Sequence, residues 1–248
     1  MINQEPFDSR AMFNDKPYFK VNREERFYVA LFAHALLSSQ IVRERFSDLI
    51  QSKYGINLNP SFFEVFLEVA ALRDYWNDLG DPVAYTADTH SRRRAIIESI
   101  LEMFELLPTV IDQHDFFWTS PERRKLWSPG RWDIAKVKEA GLEKLVKVRW
   151  AFNAKPDMLI VSGGNALMIE AKLESGEGGN DETGYRQYEI QALSLELWKR
   201  LIPSFSRMEV KRLELSRTTK DGILWSDIQG IIEGSNIDEF TMRCVIRL

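Results

Sequence analysis

One cysteine, Cys244, in 248 residues excludes an intramolecular disulfide and any zinc site built on cysteine pairs. Such sparse cysteine usage fits a reducing cytoplasm. The three histidines, His34, His90 and His114, have no metal-ligand spacing. Long apolar runs are also missing. The longest, residues 27–37, is interrupted by His34 and is too short to cross a bilayer. The first residues, Met-Ile-Asn-Gln-Glu-Pro, lack the basic and then apolar segments of a secretory leader. The expected setting is cytoplasmic, with no membrane partner. Positive charge is not in excess either. Thirty-three Lys and Arg against 37 Asp and Glu leave a net charge of −4, so contact with nucleic acid would need a local basic face or bound cations. No glycine-rich segment ends in Gly-Lys-Ser/Thr, which excludes a P-loop. There is no internal repeat and no low-complexity tract.

The most informative stretch is 155–172, Lys-Pro-Asp-Met-Leu-Ile-Val-Ser-Gly-Gly-Asn-Ala-Leu-Met-Ile-Glu-Ala-Lys. Apolar runs at 158–161 and 166–169 flank Ser-Gly-Gly-Asn, a β-hairpin pattern. Either a two-residue turn at Gly163-Gly164 or a four-residue loop over 162–165 sets Asp157 opposite Glu170. A three-residue loop would break that alignment. Directly opposed side chains lie roughly 5 Å apart at Cβ, and alternation puts Lys172 on the face of Glu170. Two carboxylates so close repel unless one is protonated or a cation lies between them. A hard cation such as Mg²⁺ suits such oxygens, and an adjacent lysine can orient water or balance charge on a phosphate. The plainer alternative is a structural Asp-Glu-Lys ion-pair cluster at a strand end.

Upstream, the patterns are mainly helical. Residues 1–21 read as an irregular arm and 22–142 as a mainly helical region. Its first helix, 22–38, opens on Asn22-x-x-Glu25, a capping-box pattern. Further helices are expected over 41–54, ending at Gly55, over 62–79 after Pro60-Ser61, and over 90–107 before Pro108. The run Arg92-Arg93-Arg94 could contact phosphates, or simply form a solvated face. Aromatics and cations interleave over 110–133; they suit a platform for unstacked bases or an aromatic core under a loop. From 142 the pattern changes to strands: 145–152 by alternation, the hairpin, and 210–215, with 242–246 as an edge strand. A glycine-rich acidic loop over 174–184 and a helix over 185–202 lie between them.

Pro156-Asp157 followed by Glu170-Ala171-Lys172 resembles the signature of the PD-(D/E)XK nuclease superfamily, and the order of elements from about 143 to 215 resembles its core. The resemblance implies an α/β (α+β) fold with a restriction-endonuclease-like αβββαβ core, a mixed central sheet and a large N-terminal or inserted helical region. Residues 143–248 would form the nuclease core and 22–38 its first helix. It further implies that Asp157 and Glu170 bind catalytic Mg²⁺, which Mn²⁺ can replace. The carbonyl of Ala171 can add a ligand, and Lys172 assists the attacking water. Some members carry a metal-facing Glu on the first helix; Glu25, with Glu24 as the second choice, is the matching position here, although Glu25 could instead only cap its own helix. Some members also place Gln-x-x-x-Tyr on the helix after the hairpin. This chain departs from that pattern, with Gln187, Tyr188 and Gln191, and the two glutamines are candidates for a supporting or substrate-contacting role.

The expected activity is therefore metal-dependent hydrolysis of phosphodiester bonds in nucleic acid, DNA rather than RNA, as an endonuclease in restriction, phage defence or repair. The inserted helices would supply substrate choice, or contacts in a homodimer or with a partner protein. The alternative is a non-catalytic module that keeps the nuclease fold to bind nucleic acid or a protein.

Overall fold

The computed structural model describes residues 24–81, 84–119, 125–173, 179–180, 185–218 and 221–246. The arm at 1–21, Asn22, and most of the acidic glycine-rich loop with Glu174 and Glu177 lie outside them. The chain is mixed α/β, with ten α-helices among the described residues and a five-stranded mixed sheet. In order these are α1 (Glu25–Ser38), α2 (Gln40–Tyr54), β1 (Glu64–Leu67), α3 (Ala71–Asp78), α4 (Ala87–Met103), α5 (Val110–Gln113), α6 (Ile134–Glu139) and α7 (Lys144–Asn153). Then follow β2 (Met158–Ser162), β3 (Asn165–Ala171), β4 (Gly179–Asn180), β5 (Tyr185–Arg186), α8 (Gln187–Leu201), β6 (Glu209–Ser216), β7 (Ile223–Leu224), α9 (Trp225–Ile232) and α10 (Glu239–Ile246).

Two compact units divide these elements. The first draws its described residues from Met1–Leu67, Asp157–Gly176 and Leu213–Leu248; the second draws its own from Glu68–Pro156 and Glu177–Arg212. The core of the first unit joins Tyr28, Phe32 and Leu36 of α1 to Phe46 and Ile50 of α2. Ile160, Ile169, Leu215 and Trp225 complete it. In the second unit the aromatics expected either as a platform or as a core are largely core: Phe116, Phe117 and Trp132 are buried, and Trp132 meets both phenylalanine rings edge-on.

The sheet order is β1-β2-β3-β6-β7. The hairpin takes the two-residue closure: Ser162 pairs with Asn165 and Met158 with Ile169, antiparallel. Gly163 and Gly164 have φ of +58° and +90°, the left-handed pair that a tight hairpin turn demands and that side chains resist. Gly164→Val is expected to cost about 1–3 kcal/mol and to loosen the register that opposes Asp157 to Glu170. Urea denaturation, with cross-strand NMR contacts between Leu159 and Met168, reads both effects.

Four expectations are corrected. Residues 145–152 form helix α7, not a strand, because the buried Leu145, Val148, Ala151 and Phe152 recur at three to four residues. The expected helix over 62–79 is divided. Residues 64–67 are β1, antiparallel to β2, and α3 starts only at Ala71. Glu68, at φ +53°, breaks the helical path between them. Residues 242–246 belong to helix α10, not to an edge strand. Asp238 caps it by accepting from the Thr241 N–H at 2.8 Å, and Thr241, Cys244 and Val245 are buried at helical spacing. The strand at that end of the sheet is β7, parallel to β6. Finally, α4 begins at Ala87, where Thr86 accepts from the Thr89 N–H at 3.1 Å, so Arg92–Arg94 sit in its second turn and not at its N-terminus.

Helices α2 and α8, the hairpin, and the strand expected at 210–215 stand where the sequence places them. Helix α1 starts at Glu25 with no side-chain cap from Glu24.

Candidate active site

Four charged side chains converge where β3 ends. The hairpin register, continued one step past the pair of Met158 with Ile169, sets Asp157 opposite Glu170. Asp157 then takes over as acceptor where the β2 backbone stops: its Oδ2 accepts the Ala171 N–H at 2.8 Å. Glu170 is 4% exposed, and its Oε1 meets Lys172 Nζ at 2.9 Å. From the far end of the sequence, α1 brings in Glu25, whose Oε1 accepts the Leu173 N–H at 2.7 Å. Glu25 thus serves the exit of β3 and does not act solely at its own helix terminus.

The backbone at Lys172 is fixed on two further sides. Its N–H donates to the Leu215 carbonyl of β6 at 2.8 Å, and its carbonyl accepts from the Trp225 indole at 3.3 Å. Sequence reasoning overlooks Trp225 here, since it is 53 residues away and no motif links the two. Its buried ring also meets Tyr28 of α1.

Burial is the main reason that the Asp157 carboxyl is pushed up to about 6; neighbouring Glu170 adds to the shift and Glu25 adds less. The Ala171 N–H and Lys172 pull the other way without cancelling it. For Lys172, burial works against the ammonium. Glu170 prevails, through its charge and its hydrogen bond, with Glu25 and Asp157 helping, and the pKa is raised. Burial and neighbouring carboxylates thus work against the Asp157 charge, which a cation beside it would favour.

The carboxylate donors here are all oxygen, the chemistry Mg²⁺ selects. Among the described residues no three His, Cys, Asp or Glu side chains are already spaced as a metal cage. The fit therefore rests on Asp157 and Glu170 as a pair. Glu25 is engaged with Leu173, and the Ala171 carbonyl stands on the strand between Glu170 and Lys172. Gln187 and Gln191 belong to the second unit. There Gln191, buried on α8, accepts from Arg212 Nε, and Gln187 is the first residue of the helix.

No protein-family model, no curated protein and no solved structure matches the chain. The functional reading rests on the geometry of the cluster.

Proposed function

We propose that the chain is a metal-dependent nuclease that hydrolyses phosphodiester bonds in nucleic acid, DNA rather than RNA, with Asp157, Glu170 and Lys172 as its reactive set. One observation carries the reading: Glu25, Asp157, Glu170 and Lys172, drawn from segments 148 residues apart, meet at one strand end, where burial and the neighbouring carboxylates push the Asp157 carboxyl up to about 6. Helix α1, the adjacent strands β1, β2 and β3, and β6 beside β3 support a restriction-endonuclease-like core and the PD-(D/E)XK kinship, with α3–α7 inserted between β1 and β2.

Asp157 and Glu170 would hold Mg²⁺, or Mn²⁺ in its place, with Glu25 and the Ala171 carbonyl next in line. When bound, the ion supplies Lewis-acid stabilisation of charge on the phosphate and leaving oxygen. Lys172 keeps its proton while it faces Glu170, so its Nζ orients water and balances phosphate charge, and is not the group that takes a proton. Trp225, Leu215 and Glu25 fix the backbone that aims Lys172.

The test is cleavage of circular and linear duplex DNA, single-stranded DNA and RNA with Mg²⁺, Mn²⁺ or EDTA. Metal-dependent nicking of the circle is expected, reduced at least about a hundred-fold in Asp157→Asn. A folded wild type that cuts none of these with either metal, yet binds DNA, would favour the non-catalytic module instead.

A further inference from the structure

Positive charge is unevenly placed along the chain. Residues 125–155 carry eight Lys and Arg against three Asp and Glu, a local charge of +5 within a chain of net charge −4. Elsewhere in the second unit, Arg92, Arg94 and Arg200 each pair with a carboxylate. Lys147 faces Glu189 at 3.8 Å. Among the described residues, Arg131, Lys136, Lys138, Lys144, Arg149 and Lys155 pair with none. A charge surplus alone marks only a solvated face, but two of its arginines are held in a way that solvation does not require.

Arg131 lies over the Trp127 ring and Arg149 over that of Trp150, each guanidinium carbon 5.7 Å from the ring centre. A guanidinium held against an indole gives up rotamer freedom before any ligand arrives, and its N–H fork stays available to oxyanions. One face of each half-buried indole is taken by its arginine, so the arrangement suits phosphate better than a stacked base. The backbone beneath is tethered as well. Asn153 Nδ2 donates to the Gly130 carbonyl at 2.8 Å and to the Arg149 carbonyl at 3.0 Å. One amide thus joins the turn Pro129–Arg131 to α7 and sets the two arginine-bearing segments side by side. A Cβ at position 130 would lie 3.0 Å from Asn153 Oδ1; glycine permits the approach.

These groups are within reach of a large partner. Arg131, Lys136, Lys138, Lys144 and Lys155 are exposed and Arg149 is half-buried. All lie in one segment of the second unit. An acidic chain that contacts nucleic acid needs a local basic face, and this segment supplies one.

We propose that the turn Pro129–Arg131 and α7, through Arg131 and Arg149, hold the phosphate backbone of nucleic acid without reading its sequence. The two planar forks would bind phosphate oxygens in pairs, while the exposed lysines add point charges. Only the nucleic-acid partner is shared with the proposed function; neither a metal nor cleavage is needed.

The test is fluorescence anisotropy of a labelled DNA duplex of about 20 base pairs, titrated with the full chain in EDTA over a range of salt concentrations. EDTA prevents metal-dependent cutting, so this result is independent of the cleavage panel. Saturable binding that weakens with salt is expected, with similar affinity for duplexes of unrelated sequence. Arg131→Gln and Arg149→Gln should each weaken it about ten-fold and lower the slope of log K against log salt by about one. Arg92→Gln, which alters an exposed but paired arginine, should change neither. Arg131 is exposed, so its variant keeps the proposal testable should Arg149→Gln fail to fold. Absence of binding by wild type, unchanged affinity and slope in folded Arg131→Gln, or an equal loss in Arg92→Gln would overturn the assignment. So would tighter binding to polyglutamate than to DNA, which would assign the face to an acidic protein.

Discussion

Replacing Asp157 with asparagine is expected to stabilise the metal-free protein at pH 8, at a position where the proposed function requires a carboxylate. In the folded state this carboxyl holds its proton up to about pH 6, against a reference value of 3.8. Between those values the native state binds more protons than the unfolded one, so the group's contribution to stability falls as pH rises and is lowest above about 6. The shift corresponds to at most about 3 kcal/mol; partial solvent exposure reduces the expected gain from Asp157→Asn to about 1–2 kcal/mol. Asparagine can still accept the Ala171 N–H through Oδ1, so the substitution removes charge and keeps the bond. Urea denaturation of both proteins in EDTA checks this. The variant should be the more stable at pH 8, and the gap should close toward pH 4. Added Mg²⁺ should narrow the gap at pH 8 by stabilising only the wild type. A variant less stable than wild type at pH 8 without metal would contradict this electrostatic account. A residue that lowers the stability of its own fold is a common mark of a functional site.

Removal of the Lys172 ammonium should have the largest effect on folding. Glu170 is 4% exposed and Lys172 is its ion-pair partner. Lys172→Met leaves that carboxylate buried without the ammonium, an imbalance that costs about 3–5 kcal/mol. Adding Glu170→Gln to the Met variant should restore much of the loss, because the remaining side chain no longer carries a charge. The double-mutant cycle is expected to give a coupling of about 2–3 kcal/mol, measured by denaturant unfolding at pH 7.5. Additive single effects would mean that the pair is not coupled. Lys172→Met is accordingly a poor choice for showing loss of catalysis, since it confounds chemistry with folding, and Asp157→Asn is the cleaner one.

Legibility in the sequence followed how local the determining physics is. The hairpin and its register were readable because two glycines leave the chain few ways to close, and that closure alone aligns Asp157 with Glu170. Helix α2 was readable from its stripe and from Gly55 at its end. The segment 145–152 was misread because Val146, Val148 and Trp150 satisfy alternation while Leu145, Val148 and Phe152 satisfy helical spacing; burial selects the second. β1 was hidden because four residues, only Val65 of them partly buried, carry little pattern of their own and are made a strand by pairing with β2. Of the cluster, Glu25 was nameable only through the family resemblance, and Trp225 was not nameable at all. Their roles arise from contacts across 148 and 53 residues, a separation that no periodicity encodes.

The central claim is that the carboxylates at the end of β3 are built to hold a divalent cation, and titration calorimetry with Mn²⁺ on wild type and Asp157→Asn at pH 7.5 tests it most directly. The account expects saturable binding to wild type, with proton release appearing as the pH is lowered toward 6, where Asp157 holds a proton that the cation must displace. Binding should weaken at least ten-fold in the folded variant. Identical isotherms for the two proteins, or no heat of binding to folded wild type, would contradict it and leave the cluster as a structural ion-pair network.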